Sequence, residues 1–177
     1  MKKVLVAIIL GSDSDLTVMS EAAKTLEEFD VNYEITISSA HRSPEKTIKY
    51  IEKSYKSGIR VIIAAAGLAA HLAGVVAAHF PLPVIGVPLK GGALLGVDSL
   101  YSTVQMPPGV PVATVGIDNA KNAALLAVQI LATADKKLEK KLIEYKKGLS
   151  QGVEKKAEKL KKIGWKNYFA SPGGVKK

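Results

Sequence analysis

The run V-I-I-A-A-A-G-L-A-A-H-L-A-G-V-V-A-A, from Val61 to Ala78, decides the fold. Its 18 residues are apolar apart from His71, which is close to the length that crosses a bilayer. Gly67 and Gly74 punctuate it, its second half is mostly alanine, and another strand-like run follows at once. The stretch therefore reads as a buried strand that turns into a helix of small residues, and not as a membrane span.

Four further runs share the character of Val61 to Ala65: Val4 to Leu10, Tyr33 to Ile37, Val84 to Val87 and Val112 to Val115. Between them lie helical patterns over Leu16 to Phe29, Pro44 to Lys56, Ala69 to Ala78 and Asn119 to Ala132. Strands alternating with helices imply parallel βαβ units, and near-continuous apolar strands imply a sheet covered on both faces. The expected architecture is an α/β three-layer sandwich around a central parallel sheet of flavodoxin or Rossmann type.

At 177 residues and 47% apolar content, the chain can bury roughly 70% of its unfolded surface. Its formal charge of +9 suggests nucleic acid until it is divided along the chain. Up to Ala134 there are 11 basic and 11 acidic side chains; from Asp135 onward there are 14 Lys against 5 acids. The excess belongs to a terminal segment in which Lys and Glu alternate with Leu138, Leu142, Ile143, Leu149, Val153, Leu160 and Ile163. That pattern gives amphipathic helices with solvated basic faces. Residues 1–134 are thus expected to form a single catalytic core. Residues 135–177 are read as a Lys-rich helical extension packing on that core or on neighbouring subunits. No nucleic-acid or membrane partner is expected. The opening M-K-K-V-L-V-A-I-I-L lacks a cleavage site where G-S-D-S-D follows, and with no cysteine in the chain a cytoplasmic location is expected.

In such a sheet, ligands bind beyond the carboxyl ends of the strands. Four unusual segments fall there: G-S-D-S-D (Gly11 to Asp15), S-A-H-R-S-P (Ser39 to Pro44), A-G-L-A-A-H-L-A-G (Ala66 to Gly74) and P-L-K-G-G-A-L-L-G (Pro88 to Gly96). The first offers a close backbone approach, hydroxyls and carboxylates suited to ribose, or merely a helix cap at Ser14 or Asp15. In the second, Ser43 caps a helix opened by Pro44, leaving His41 and Arg42 in the loop. Imidazole can exchange protons near neutrality, and guanidinium suits phosphate or carboxylate. His71 is either a ligand-facing residue among small neighbours or a histidine bonded to a backbone carbonyl, and His79 ends a helix. No Walker loop, G-x-G-x-x-G, H-E-x-x-H or G-x-S-x-G pattern is present. The residues point to a phosphorylated small molecule and proton-transfer chemistry, with no metal.

Together with G-V-D-S-L-Y-S-T-V-Q-M-P-P-G-V-P-V-A-T-V (Gly96 to Val115), these motifs in order resemble the 5-(carboxyamino)imidazole ribonucleotide mutase family of purine biosynthesis. The resemblance spans Lys3 to Ala132. S-A-H-R places the chain with the mutases, where a related carboxylase class carries S-A-H-K. It departs from the family pattern at Ala65, Leu68 and Ala73, which stand for Gly, Gly and Pro. The resemblance implies transfer of a carboxylate from an exocyclic nitrogen to a ring carbon without metal or organic cofactor, in a homo-octamer. It implies that Ser12, Ser39 and Arg42 bind the phosphate region and Asp15 the ribose. The loop around His71 would enclose the carboxylate, and His41 would shuttle the proton. Direct carboxylation of aminoimidazole ribonucleotide, or a noncatalytic nucleotide-binding module, remain the alternatives.

Overall fold

The computed structural model describes residues 3–170, which fall into two compact units divided between Ala134 and Asp135. In the first, strands β1 (Val6–Leu10), β2 (Tyr33–Ile37), β3 (Val61–Gly67), β4 (Val84–Leu89) and β5 (Ala113–Thr114) form one parallel sheet in the order β2-β1-β3-β4-β5. Helices α1 (Leu16–Glu28), α2 (Pro44–Ser57), α3 (Leu72–His79), α4 (Val97–Val104) and α5 (Ala120–Ala132) complete it. The α/β sandwich expected from the sequence is the fold observed.

Every residue of β1 and the first five of β3 are buried, because each strand lies between two others and under helices on both faces. Alternate residues therefore serve opposite layers. Ala7 and Ile9 of β1 join Ile62 and Ala64 of β3 in a cluster with Ile51 of α2 and Leu72 and Val76 of α3. Val6, Ile8 and Leu10 point to the other face, where α1 packs on α5. At the sheet's edge β2 is more open, with Ile35 and Ile37 about half exposed. The run from Val61 bends after Gly67, and its helix starts at Leu72, three residues later than the sequence pattern predicts.

Helix α4 is a feature the sequence reading did not anticipate. Its buried Ser99 hydroxyl donates to the Leu89 and Gly96 carbonyls, each at 2.9 Å, which ties the helix to the end of β4. Gly86 makes room for it: a Cβ there would stand 2.3 Å from Thr103 Cγ2 and 2.9 Å from Val112 Cγ1.

The described part of the second unit is helical over α6 (Lys136–Ala170), interrupted by a kink at Gly164, whose φ of 71° and ψ of 160° are non-helical. Asp135 caps it, its carboxylate accepting from the N–H groups of Lys137 and Leu138. Ile143, Leu149, Val153, Trp165 and Phe169 are exposed along it. Among the described residues, no helix is long and apolar enough to cross a membrane.

Candidate active site

The strand order 2-1-3-4-5 reverses direction between β1 and β3, and the crevice beyond that reversal is where ligands settle in such sheets. A cavity of about 650 Å³ opens there. The loop after β1 contributes Gly11, Ser12, Ser14 and Asp15; the loop after β2 contributes Ser39, Ala40, His41 and Arg42. The end of β3 and the turn into α3 add Ala66, Gly67, Leu68, Ala70 and Leu72, and the end of β4 with the segment after it adds Leu89, Lys90, Gly91 and Gly92.

The β1 loop is held by its own carboxylates. Asp15 Oδ2 accepts from the Ser12 N–H at 2.9 Å, and Asp13 Oδ1 accepts from the Ser12 hydroxyl and the Ser14 N–H, each at 3.0 Å. Asp15 stands at the N-cap position of α1 but turns back into the loop, making no side-chain bond to the helix. Partial burial of Asp15 raises its pKa above 3.8, outweighing the hydrogen bonds that oppose the shift. Bonds from Ser12 and Ser14 hold exposed Asp13 below its ordinary value.

The β2 loop is a tight turn pinned at both ends. Ser38 donates its N–H to the Leu10 carbonyl at 2.8 Å, and its buried hydroxyl pairs with that of Thr47 in α2 at 2.8 Å. The Ser39 hydroxyl accepts from the Arg42 N–H at 3.2 Å. Ser43 occupies the N-cap position of α2, as expected, but its hydroxyl donates backward to the Ser39 carbonyl at 3.1 Å and does not cap the helix. The turn thus presents His41 and Arg42 as exposed side chains on the cavity wall. Arg42 Nη2 donates to the Gly11 carbonyl at 3.2 Å, drawing the β1 and β2 loops together. A second, more open depression shares Gly11, Ser12, Ser39 and Arg42 with the cavity and adds Asp13, Ile37 and Ser43. A planar cation bordered by hydroxyls in this way can grip an anion with two prongs.

His71 is placed differently. It does not line the cavity, although Ala70 and Leu72 do. Its backbone is left-handed at φ 50°, and its ring Nδ1 bonds the Ser102 carbonyl of α4. A carbonyl only accepts, so Nδ1 carries the proton and the ring is fixed in one tautomer. The ring lies over Gly74, where a Cβ would stand 2.1 Å from Nε2. His79 ends α3. Ser12, Asp15, Ser39, His41 and Arg42 are therefore gathered in one cavity, while His71 braces the turn behind it.

The sequence reading gave no role to Lys90, the second cationic residue on the wall. Its N–H donates to Asp118 Oδ1 at 2.8 Å, and the Asp118 N–H donates to the Pro88 carbonyl at 2.9 Å, so the end of β4 is tied to the loop beyond β5. A single lysine within an apolar, glycine-rich stretch was the available signal. Among the described residues, no three His, Asp or Glu side chains are gathered as a metal site.

A family model described as AIR carboxylase matches residues 5–152. The chain belongs to the AIR carboxylase family. Within that family it is 58% identical over 169 residues to the N5-carboxyaminoimidazole ribonucleotide mutase of Pyrococcus horikoshii, covering 96% of each chain. The mutase of Thermotoga maritima is 55% identical over 93% of this chain and 96% of its own. The phosphoribosylaminoimidazole carboxylase of Schizosaccharomyces pombe is 56% identical, but the match occupies 30% of that longer protein. Among solved structures, Treponema denticola PurE superposes with a TM-score of 0.82 at 31% identity, over 89% of this chain and 98% of its own.

Proposed function

We propose that this enzyme is an isomerase of purine biosynthesis that converts 5-(carboxyamino)imidazole ribonucleotide to 4-carboxy-5-aminoimidazole ribonucleotide. The observation that carries the reading is the pair His41 and Arg42, presented side by side on the wall of a cavity that also holds Ser12, Asp15 and Ser39. One member of the pair can move a proton and the other can hold a phosphate. Mutase-named relatives matched over 96% of their length favour this over the carboxylase reading.

Arg42, with the hydroxyls of Ser12 and Ser39, holds the 5′-phosphate, where a guanidinium fork is strongest. Asp15 takes the ribose hydroxyls, and the turn after β3 encloses the carboxyl group. In the reaction the carbamate C–N bond breaks with its electrons passing to nitrogen, which takes a proton from His41; neutral carbon dioxide is left in the cavity. The ring carbon then attacks it, and the proton lost as aromaticity returns goes back to His41. The proton given and the proton recovered balance, so the sum is an isomerisation that needs no oxidant or energy donor. Confinement lets the second step find the product of the first. His71 acts from behind, by fixing the turn between β3 and α3.

Exposed apolar residues on the first unit, among them Leu16, Ile37, Leu94 and Tyr101, together with those along α6, support assembly into a homo-octamer. The absence of cysteine suits work in a reducing cytoplasm and leaves no thiolate to hold a metal. The test is to offer the purified chain each imidazole substrate separately. Turnover of the carbamate ribonucleotide in bicarbonate-free buffer is expected. Product formed only from aminoimidazole ribonucleotide and dissolved carbon dioxide would favour the carboxylase reading, and no turnover of either would favour a binding module.

A further inference from the structure

Five described residues other than glycine hold a positive φ: Asp30, Leu68, His71, Leu95 and Asp118. Aspartate and histidine tolerate the left-handed region, whereas a branched, bulky leucine is a true outlier there. Of the two leucines, Leu68 lines the cavity, at φ 55° and with 57% of its surface exposed. Its side chain reaches from the turn after β3 to the segment after β4: a Cβ built on Gly92 would stand 2.8 Å from Leu68 Cδ2. One isobutyl group laid against a glycine thus joins the two loops on the cavity's side. Neither folding nor solubility asks for it, since glycine would take that φ without strain and a polar side chain would suit the exposure.

We propose that Leu68, where the family pattern has glycine, tightens retention of the transferred carboxyl group in this chain's cavity by adding an apolar wall between the β3 and β4 loops. The inference rests on the isomerase reading above. Between its two steps the migrating group is carbon dioxide, small and uncharged, since the electrons of the broken C–N bond have stayed on nitrogen. Arg42 and Lys90 can hold phosphate or carboxylate, but neither has a charge to grip in the gas. Only walls retain it until the ring carbon forms the new C–C bond.

The experiment uses the full chain and unlabelled carbamate ribonucleotide in buffer containing ¹³C-bicarbonate and carbonic anhydrase. Mass spectrometry reads the ¹³C fraction of the 4-carboxy product formed in the first turnovers. The parent is expected to return mostly unlabelled product. Leu68→Ala, which removes the wall but keeps a Cβ at the left-handed φ, and Leu68→Gly, which removes both wall and strain, should each raise label per turnover at least about tenfold. Leu68→Gly should unfold at no lower temperature than the parent. Label unchanged in both variants while product still forms would overturn the proposal. So would label raised in the glycine variant alone, because the backbone and not the side chain would then govern retention. Product from the parent that is already fully labelled would overturn it as well. A parent that forms no product from the carbamate refutes the isomerase reading itself and takes the inference with it.

Discussion

Replacing Gly74 by alanine should destabilise the protein, although Gly74 sits inside a helix where alanine is intrinsically better by about 1 kcal/mol. The new Cβ would stand 2.1 Å from His71 Nε2 and 2.2 Å from its Cε1, whereas carbon contacts settle at roughly 3.5 Å. The ring must retreat by more than an ångström, and it is not free to do so, because Nδ1 is bonded to the Ser102 carbonyl. Strain of about 1–3 kcal/mol and a lost hydrogen bond of about 0.5–1.5 kcal/mol together exceed the helical gain. The net cost is about 1–3 kcal/mol, or roughly 2–12 °C in Tm for a chain of this size. The assay is thermal unfolding, at matched protein concentration, of Gly74→Ala, His71→Ala and the double variant. With the ring removed, Gly74→Ala should become neutral or stabilising. If Gly74→Ala matches the parent, or costs the same in both backgrounds, the His71 ring is not locked between Gly74 and Ser102.

Arg42→Lys keeps the charge but loses the fork, so calorimetry should show ribonucleotide binding weakened by about 1–3 kcal/mol with little change in Tm; equal affinity of the parent for the ribonucleotide and its dephosphorylated nucleoside would contradict the phosphate role. Because burial raises the Asp15 pKa, the folded chain binds more protons than the unfolded chain between 3.8 and that raised value, and stability falls as pH rises through the window. Asp15→Asn should therefore be at least as stable as the parent at neutral pH, with any advantage shrinking as pH falls through that window and gone below pH 3.8, while ribonucleotide binding weakens; lower stability at neutral pH with binding intact would refute both roles. A chain ending at Ala134 should sediment as a smaller assembly than the full chain, and an unchanged assembly size would count against α6 as an assembly element.

The core was legible because its signals are local: β-branched runs such as Val61 to Ala65 declare strands, and Pro44 and Gly58 bound a helix. Helix α4 was not, because V-D-S-L-Y-S-T-V has β-branched ends and follows a left-handed glycine. It is fixed by bonds from Ser99 and Thr103, residue types that local propensity assigns elsewhere. β5 is only two residues long, where Val112 to Val115 suggested four. In the site, the convergence of four loops at one sheet edge followed from the alternation of parallel strands and helices, and it put His41 and Arg42 at that edge. The bond from His71 to a carbonyl 31 residues away and the contact of Leu68 with Gly92 are long-range, so no local pattern announces them.

The proton role of His41 is tested most directly by one paired measurement on His41→Asn. Calorimetric binding of the carbamate ribonucleotide is set beside single-turnover formation of the 4-carboxy product on the same preparation. Asparagine tolerates a turn and keeps hydrogen-bonding groups, so the fold and the contacts of Arg42, Ser12 and Ser39 should survive. The account predicts retained binding with turnover reduced by at least ~100-fold, the scale of general acid–base catalysis. Turnover near that of the parent would contradict it.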